Sequence, residues 1–119
     1  MTLWPDAPYE YHRSGGGLVF AAGACPLDEH GQVVGTGDLE AQATQTVENL
    51  LAALADAGVG PDALLKTTIY VVAAERADLV RVWNVVSPRL DRAPSTLLGI
   101  SFLGYPEQLV EIEAIASAR

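Results

Sequence analysis

Two glutamates near the end of the chain are the side chains best suited to chemistry. The closing segment LVEIEAIASAR alternates as a strand does, so Glu111 and Glu113 share one face with Ile115, and Val110 and Ile112 occupy the other. A carboxylate beside apolar surface can hold a water for attack on an electrophilic carbon, or accept a hydrogen bond from a ligand N–H group. The alternative is that both glutamates are solvated or paired with a cation of a neighbouring subunit.

Other residue types that support catalysis are sparse. Cys25 is the only cysteine, and His30, five residues further on, lies in an apparent turn. We therefore expect Cys25 to be an inert buried thiol rather than a nucleophile. His12 and His30 occur in unlike contexts, so we expect no metal site. Tyr9 either contacts a ligand or packs at an oligomer interface, and the sequence leaves both open.

The charge of the chain argues against nucleic acid and membrane partners. The formal net charge is −8, with seven Lys and Arg residues, whereas a phosphate backbone or an anionic lipid surface attracts clustered cations. No apolar run reaches the roughly 18 residues of a membrane span. The N-terminal segment has no signal-peptide core, and a single cysteine suits a reducing compartment. We expect a cytoplasmic protein.

Composition predicts one domain that is partly hidden in an oligomer. The 119 residues fit a single domain, 1–119. Charged residues make up 18% of the chain, less than the roughly 25% of an average soluble domain. A small domain has much surface for its volume, so the low charge indicates that another subunit covers part of it.

The elements that must position these residues follow the order β-β-β-α-β-α-β-β. The first helix begins after the N-cap Asp38 and ends near Gly58. Two helices between strands predict an α+β fold in which both helices pack on one face of a mixed sheet. The strands are predicted over 8–14, 18–25, 32–34, 64–74, 95–102 and 108–117, and the helices over 39–58 and 75–90. Five polar residues of the first helix are expected on its solvent side: Glu40, Gln42, Gln45, Glu48 and Asn49.

Four segments together resemble the Rid (YjgF-like) family. AGACPLD follows an apolar strand, as the family's S-G-Q-x-P-x-D does; GTGD leads into EAQATQTVEN, which is similar to E-A-Q-x-x-Q-x-x-x-N; KTTIYV and VEIEAIA match two further strands. The resemblance implies a chorismate mutase-like fold, a homotrimer, and ligand clefts between subunits. It also implies hydrolysis of reactive enamines and imines to a ketoacid and ammonia, without metal or cofactor.

The resemblance assigns roles to several residues. It makes Glu111 the group that positions water and Tyr9 a side chain of the pocket, and it favours a structural role for Glu113. The family's arginine, which clamps a substrate carboxylate, corresponds to Pro94, which has neither charge nor N–H donor. Arg92 or Arg13 is left as a possible replacement. Beside Gly23, backbone N–H groups of Ala24 and Cys25 are candidate ligand donors, as are those of Ser95, Thr96 and Leu97 beside Pro94.

Three functions follow from this pattern. The leading hypothesis is a hydrolase that attacks an imine or enamine with a water held by Glu111. The second is a metabolite-binding or regulatory module of the same fold, because Pro94 replaces the arginine. The third is an endoribonuclease or translation inhibitor, which the net charge of −8 disfavours.

Overall fold

The computed structural model describes residues 3–119 and shows a five-stranded mixed sheet with two helices. The spatial order of the strands is β1-β2-β5-β3-β4, in which only β3 and β4 run parallel. This confirms the predicted α+β architecture. The strands are β1 His12–Gly15, β2 Leu18–Ala24, β3 Leu64–Val72, β4 Ser95–Ile100 and β5 Val110–Ser117, and the helices are α1 Leu39–Asp56 and α2 Arg76–Val86.

Both helices pack on one face of the sheet, as predicted. Helix α1 lies against β2 and β5, while α2 lies against β3, β4 and α1. Alternate residues of the central strands enter this core, for example Val19, Ile69 and Ile112, which are each at most 1% exposed. The opposite face, here called the open face, carries the other alternation and has no helix over it among the described residues. Its side chains include Phe20, Thr68, Tyr70, Thr96, Leu98, Glu111, Glu113 and Ile115.

The helix ends follow local chemistry. The Asp38 carboxylate accepts a hydrogen bond from the Ala41 N–H at 3.0 Å, which caps α1 as the sequence predicts. Glu75 and Asp78 form a reciprocal capping box at the start of α2. Helix α2 ends at Val86, where Ser87 and Pro88 were predicted to end or kink it, and both residues lie in the short 3₁₀ turn that follows.

The predicted strand at 32–34 is wrong. The segment is a turn with one isolated bridge between Leu27 and Val33. The Asp28 carboxylate accepts the N–H groups of His30 and Gln32, so the Gln32 N–H is not available to a backbone carbonyl of the facing segment. Among the described residues, backbone pairing here is limited to two hydrogen bonds, from the Asp28 N–H to the Gln32 carbonyl and from the Val34 N–H to the Pro26 carbonyl. Gly31 adopts φ +77° within the turn. The first strand also starts later than predicted, at His12.

Candidate functional site

A cavity of about 220 Å³ lies where β2 leaves the sheet and β5 enters it. Its walls come from the N-terminal segment, from β2 and the residue after it, from the loop before β5, and from β5 itself. The residues that line it are Tyr9, Ala22, Gly23, Cys25, Tyr105 and Glu111. The fold therefore brings together four of the residues predicted from the sequence: Tyr9, Gly23, Cys25 and Glu111.

The Glu111 carboxylate is held in one orientation by two donors. Its Oε1 atom accepts the Cys25 thiol at 3.3 Å and the Gln108 Nε2 at 3.1 Å. Gln108 is itself fixed, since its Nε2 also donates to the Val110 carbonyl at 3.0 Å and its Oε1 accepts the Tyr105 N–H at 3.2 Å. Among the described residues no donor reaches Oε2, so this oxygen is the one available to a ligand or water.

Gly23 makes room for the carboxylate. A Cβ atom at this position would lie 2.0 Å from Oε2 and 2.7 Å from Cδ of Glu111. Carbon and oxygen atoms that are not bonded do not approach so closely, so any side chain at residue 23 displaces Glu111. The sequence predicted that Gly23 lets the backbone approach a ligand; in the structure the group that approaches this backbone is Glu111.

The groups around Glu111 hold their protons. Burial, and then the charge of Glu111, raises the pKa of the Cys25 thiol to about 12, against an ordinary value of 9.0. Burial and the neighbouring Tyr105 raise the pKa of the Tyr9 phenol, and burial raises the pKa of Tyr11. The raised pKa favours the protonated thiol, which donates to Glu111. Cys25 is buried, as predicted, and its chemical inertness stays a prediction.

Two amides of α1 hold the loops that form the cavity walls. Asn49 donates to the carbonyls of Cys25 and Leu27 at 2.8 and 2.9 Å. Gln42 donates to the Glu107 carbonyl at 2.9 Å and accepts the Leu109 N–H at 2.7 Å. Both side chains are buried, so their predicted placement on the solvent side of the helix is wrong. They face inward because loop backbone groups inside the fold need hydrogen-bond partners.

The remaining predicted residues lie elsewhere in the chain. Ala24 is buried in the core beneath the sheet. Ser95 pairs with Thr67 and Glu111 pairs with Tyr70, so the Cα atoms of Ser95 and Glu111 are separated by two strand spacings and three residues, about 14 Å. Thr96, next to Ser95, accepts a hydrogen bond from the Lys66 ammonium at 2.6 Å. The roles of these residues in binding stay predictions.

The turn before Pro94 borders a different cavity. Pro94 is exposed. Asp91 and Arg92 adopt φ of 49° and 60°, a left-handed conformation that only a few non-glycine residues take. Arg92 lines a cavity of about 400 Å³ together with Trp83 and Ser87. This cavity shares no lining residue with the one at Glu111.

Two site residues were missed from the sequence, Tyr105 and Gln108. Tyr105 lines the cavity, and Gln108 orients Glu111 and is only 3% exposed. The available signal was an aromatic residue in the short loop before the glutamate strand. A glutamine three residues before Glu111 gives no periodic signal, because its inward direction depends on how the loop turns.

Glu113 lies in a separate hollow on the open face, although it is on the same strand face as Glu111. The hollow has a volume of about 320 Å³, and Phe20, Lys66 and Thr68 also line it. The Tyr70 phenol donates a hydrogen bond to the Glu113 carboxylate.

Over residues 3–119 no group of three or more His, Cys, Asp and Glu side chains is arranged to hold a metal ion. In the same range no helix is long and apolar enough to cross a membrane.

Sequence comparison places the whole chain within one family model. The model described as Endoribonuclease L-PSP matches residues 2–118. A RutC family protein of Pyrococcus abyssi is 30% identical over 114 residues, which cover 94% of this chain and 87% of that protein. A RutC family protein of Synechocystis sp. is 30% identical over 115 residues, with coverage of 94% and 87%.

Solved structures show the same fold. The Rid family protein YyfA from Yersinia pestis superposes with a TM-score of 0.80 at 30% identity, over 93% of this chain and 88% of that one. A Thermotoga maritima protein described as an endoribonuclease superposes with a TM-score of 0.84 at 27% identity, over 97% and 90%. The similarity therefore extends through the sheet, both helices and the loops that carry the cavity.

Proposed function

Because the chain belongs to the Rid (YjgF-like) family, we propose that it hydrolyses a small imine or enamine with a water held by Glu111. The observation that carries this proposal is the Glu111 carboxylate itself. Cys25 and Gln108 fix its Oε1, while Oε2 lies over Gly23 at the cavity. A carboxylate fixed on one oxygen and open on the other is suited to accept a proton from an attacking water.

The reaction balances with water alone. The water oxygen bonds to the carbon of a protonated C=N group, the π electrons move to nitrogen, and Oε2 of Glu111 takes the water proton. Glu111 then returns that proton to the amino nitrogen of the carbinolamine. The C–N bond breaks, and the hydroxyl proton passes to the departing ammonia, which leaves a carbonyl compound and ammonium.

The proposed site is completed between copies of the chain. Within one copy, Glu111 and the segment that starts at Pro94 are too far apart to contact one small ligand. The open face carries large apolar side chains, including Phe20 at 47% and Leu98 at 42% exposure, which a second copy would cover. We therefore propose a homotrimer, acting in the cytoplasm, in which the Pro94 segment of one chain faces the Glu111 cavity of the next.

A second candidate function is ligand binding without turnover. It is favoured by Pro94, because a bidentate clamp on a substrate carboxylate needs a guanidinium group. Ribonuclease activity is the third candidate and has only the names of matching proteins in its favour. The net charge of −8 opposes binding of an RNA backbone.

The experiment that separates hydrolysis from binding restores the clamp. 2-Aminoacrylate is generated from L-serine by a pyridoxal phosphate-dependent dehydratase, and pyruvate formation is followed with wild type and with Pro94→Arg. We expect Pro94→Arg to accelerate pyruvate formation beyond wild type. Adding Glu111→Gln to this variant lowers the acceleration by about 10²-fold or more, the usual loss when a general base is removed.

The matched control is Glu113→Gln in the same Pro94→Arg background, since it removes a carboxylate from the same strand face outside the cavity. We expect it to leave the rate within about twofold of its parent, because Glu113 does not line the Glu111 cavity. Equal rates for the two glutamine variants would refute the role of Glu111. Analytical ultracentrifugation of the wild type tests the assembly: we expect three chains, and a monomer would refute a shared cleft.

A further inference from the structure

The Glu111 cavity has an unusual balance of charge for a site that would receive a carboxylate substrate. Of its six lining residues in the described part of the chain, Glu111 is the one carboxylic acid, and none is a lysine, arginine or histidine. The other polar groups are the Cys25 thiol and the phenols of Tyr9 and Tyr105. The raised pKa of Cys25 and of Tyr9 keeps them uncharged. Within one copy of the chain, a negative ligand in this cavity would meet the Glu111 carboxylate with no lysine, arginine or histidine among the lining residues to offset the repulsion.

Aromatic rings surround the same space. The rings of Tyr9 and Tyr11 meet edge to face, with centroids 5.7 Å apart and an interplanar angle of 74°. Tyr105 lines the same cavity as Tyr9. Aromatic rings carry negative charge on their faces and attract cations, most strongly where water is partly excluded. Two phenol rings, Tyr9 and Tyr105, therefore line the cavity beside one carboxylate, and Tyr11 packs against the first of them. Aromatic rings next to a carboxylate are the usual elements of a site for an organic cation.

Three cations of this chain that could serve the cavity are engaged or lie elsewhere. The Lys66 ammonium donates a hydrogen bond to Thr96 on the adjacent strand β4. Arg92 lines the separate cavity at Trp83. Arg13 is exposed on the edge strand β1, opposite Phe20. None of the three lines the space next to Glu111.

We propose that the Glu111 cavity selects a small organic cation, and that its substrate is an iminium ion without a carboxylate. This inference rests on the proposed hydrolysis for the reaction but not for the ligand class. Glu111 would pair with the positive nitrogen before it accepts the water proton, and Pro94 would replace a clamp that such a substrate does not need. The reaction class that supplies these imines is the two-electron oxidation of a primary amine, and the product is an aldehyde with ammonium.

Binding is tested with three small probes on the full-length protein by calorimetry: pyrrolidinium, the uncharged ring tetrahydrofuran of similar shape, and the anion propionate. We expect pyrrolidinium to bind at least about tenfold more tightly than tetrahydrofuran, since a desolvated cation–π contact alone contributes about that factor. Glu111→Gln removes this preference. Tyr105→Leu weakens pyrrolidinium binding by about tenfold more than Tyr105→Phe, which keeps the ring.

Turnover is compared between two imines of three carbons. Propan-1-imine is generated from propylamine by an amine oxidase, and 2-iminopropionate from alanine by an amino acid oxidase; the aldehyde and the ketoacid are followed. We expect the wild type to accelerate hydrolysis of propan-1-imine more strongly than that of 2-iminopropionate.

The outcomes separate the two proposals. Preferential hydrolysis of 2-iminopropionate, or propionate binding that Arg92→Ala or Arg13→Ala abolishes, overturns the cation site and leaves imine hydrolysis intact. Tight pyrrolidinium binding that depends on Glu111, without acceleration of either imine, overturns hydrolysis and supports the cation site. Equal affinity for pyrrolidinium and tetrahydrofuran overturns the cation site as well.

Discussion

Glu111 and Glu113 are two residues apart on one face of β5, yet their surroundings differ in almost every respect. Glu111 is partly buried, lies over the backbone of Gly23, and accepts hydrogen bonds from a thiol and an amide. Glu113 is exposed, accepts a hydrogen bond from the Tyr70 phenol, and shares an open hollow with Lys66. The strand gives both side chains the same direction, so the strand does not explain the difference.

The difference comes from the loops at one end of the sheet. The chain before β1, the residues after β2 and the loop before β5 all meet at Glu111, and α1 holds two of these loops through Asn49 and Gln42. None of the lining residues of the Glu113 hollow comes from those loops. A carboxylate gains a distinct chemical role when its neighbours exclude water and fix its orientation. Three predictions test whether this contrast is real.

The largest effect is expected from Gly23→Ala. The new Cβ would lie 2.0 Å from Oε2 of Glu111, so the carboxylate must leave its position and lose the geometry set by Cys25 and Gln108. We expect a loss of about 10²-fold in kcat/KM for the substrate that the wild type accepts, similar to loss of the general base itself. Steady-state kinetics measures the loss.

Gly99→Ala is the matched control for this glycine. It also lies in a strand, and its new Cβ would meet its nearest neighbours, Ala73 and Leu79, at 3.7 Å, an ordinary contact. Kinetics close to wild type are expected. Full activity in Gly23→Ala would show that the position of the Glu111 carboxylate over Gly23 is not needed for catalysis. Loss of activity in Gly99→Ala alone would point the same way.

The sequence predicts the strand and helix that carry these residues better than it predicts the different surroundings of Glu111 and Glu113. The alternation in β5 and the N-cap at Asp38 are local patterns, and the structure has both. The inward direction of Gln42 and Asn49 depends on loops that are distant in sequence, 65 residues away in the case of the Glu107 carbonyl. From the sequence alone, a polar residue on a helix is predicted to face solvent. Its inward direction can be predicted only when the loop carbonyl to which it donates is known. The mistaken strand at 32–34 has a local origin, since the Asp28 carboxylate takes the Gln32 N–H that a longer ladder would use.

A smaller effect is expected when one of these loop anchors is removed. Asn49→Ala leaves the buried carbonyls of Cys25 and Leu27 without their donor, which costs about 2–3 kcal/mol in the free energy of unfolding. Urea unfolding followed by circular dichroism measures this loss.

Thr46→Val, on the same helix, is the opposite case: within residues 3–119 the buried Thr46 hydroxyl has no hydrogen-bond partner. Its replacement is expected to be neutral or stabilising, and a loss equal to that of Asn49→Ala would contradict the loop-anchor role.

The smallest effect concerns the thiol that faces Glu111. With its pKa at about 12, Cys25 carries little thiolate at pH 8, so we expect iodoacetamide to modify the native protein about 10²-fold or more slowly than the urea-unfolded chain. Glu111→Gln removes the negative charge beside the thiol and lowers the Cys25 pKa, although burial, the larger cause, keeps it above the ordinary value. Alkylation of the native variant should then quicken by about threefold to tenfold, as a shift of one pKa unit or less allows.

Glu113→Gln is expected to leave the rate unchanged, because its carboxylate lies in the other hollow. If both variants accelerated alkylation equally, the Cys25 pKa would depend on the total charge of the strand. The specific effect of Glu111 on this thiol would then be refuted.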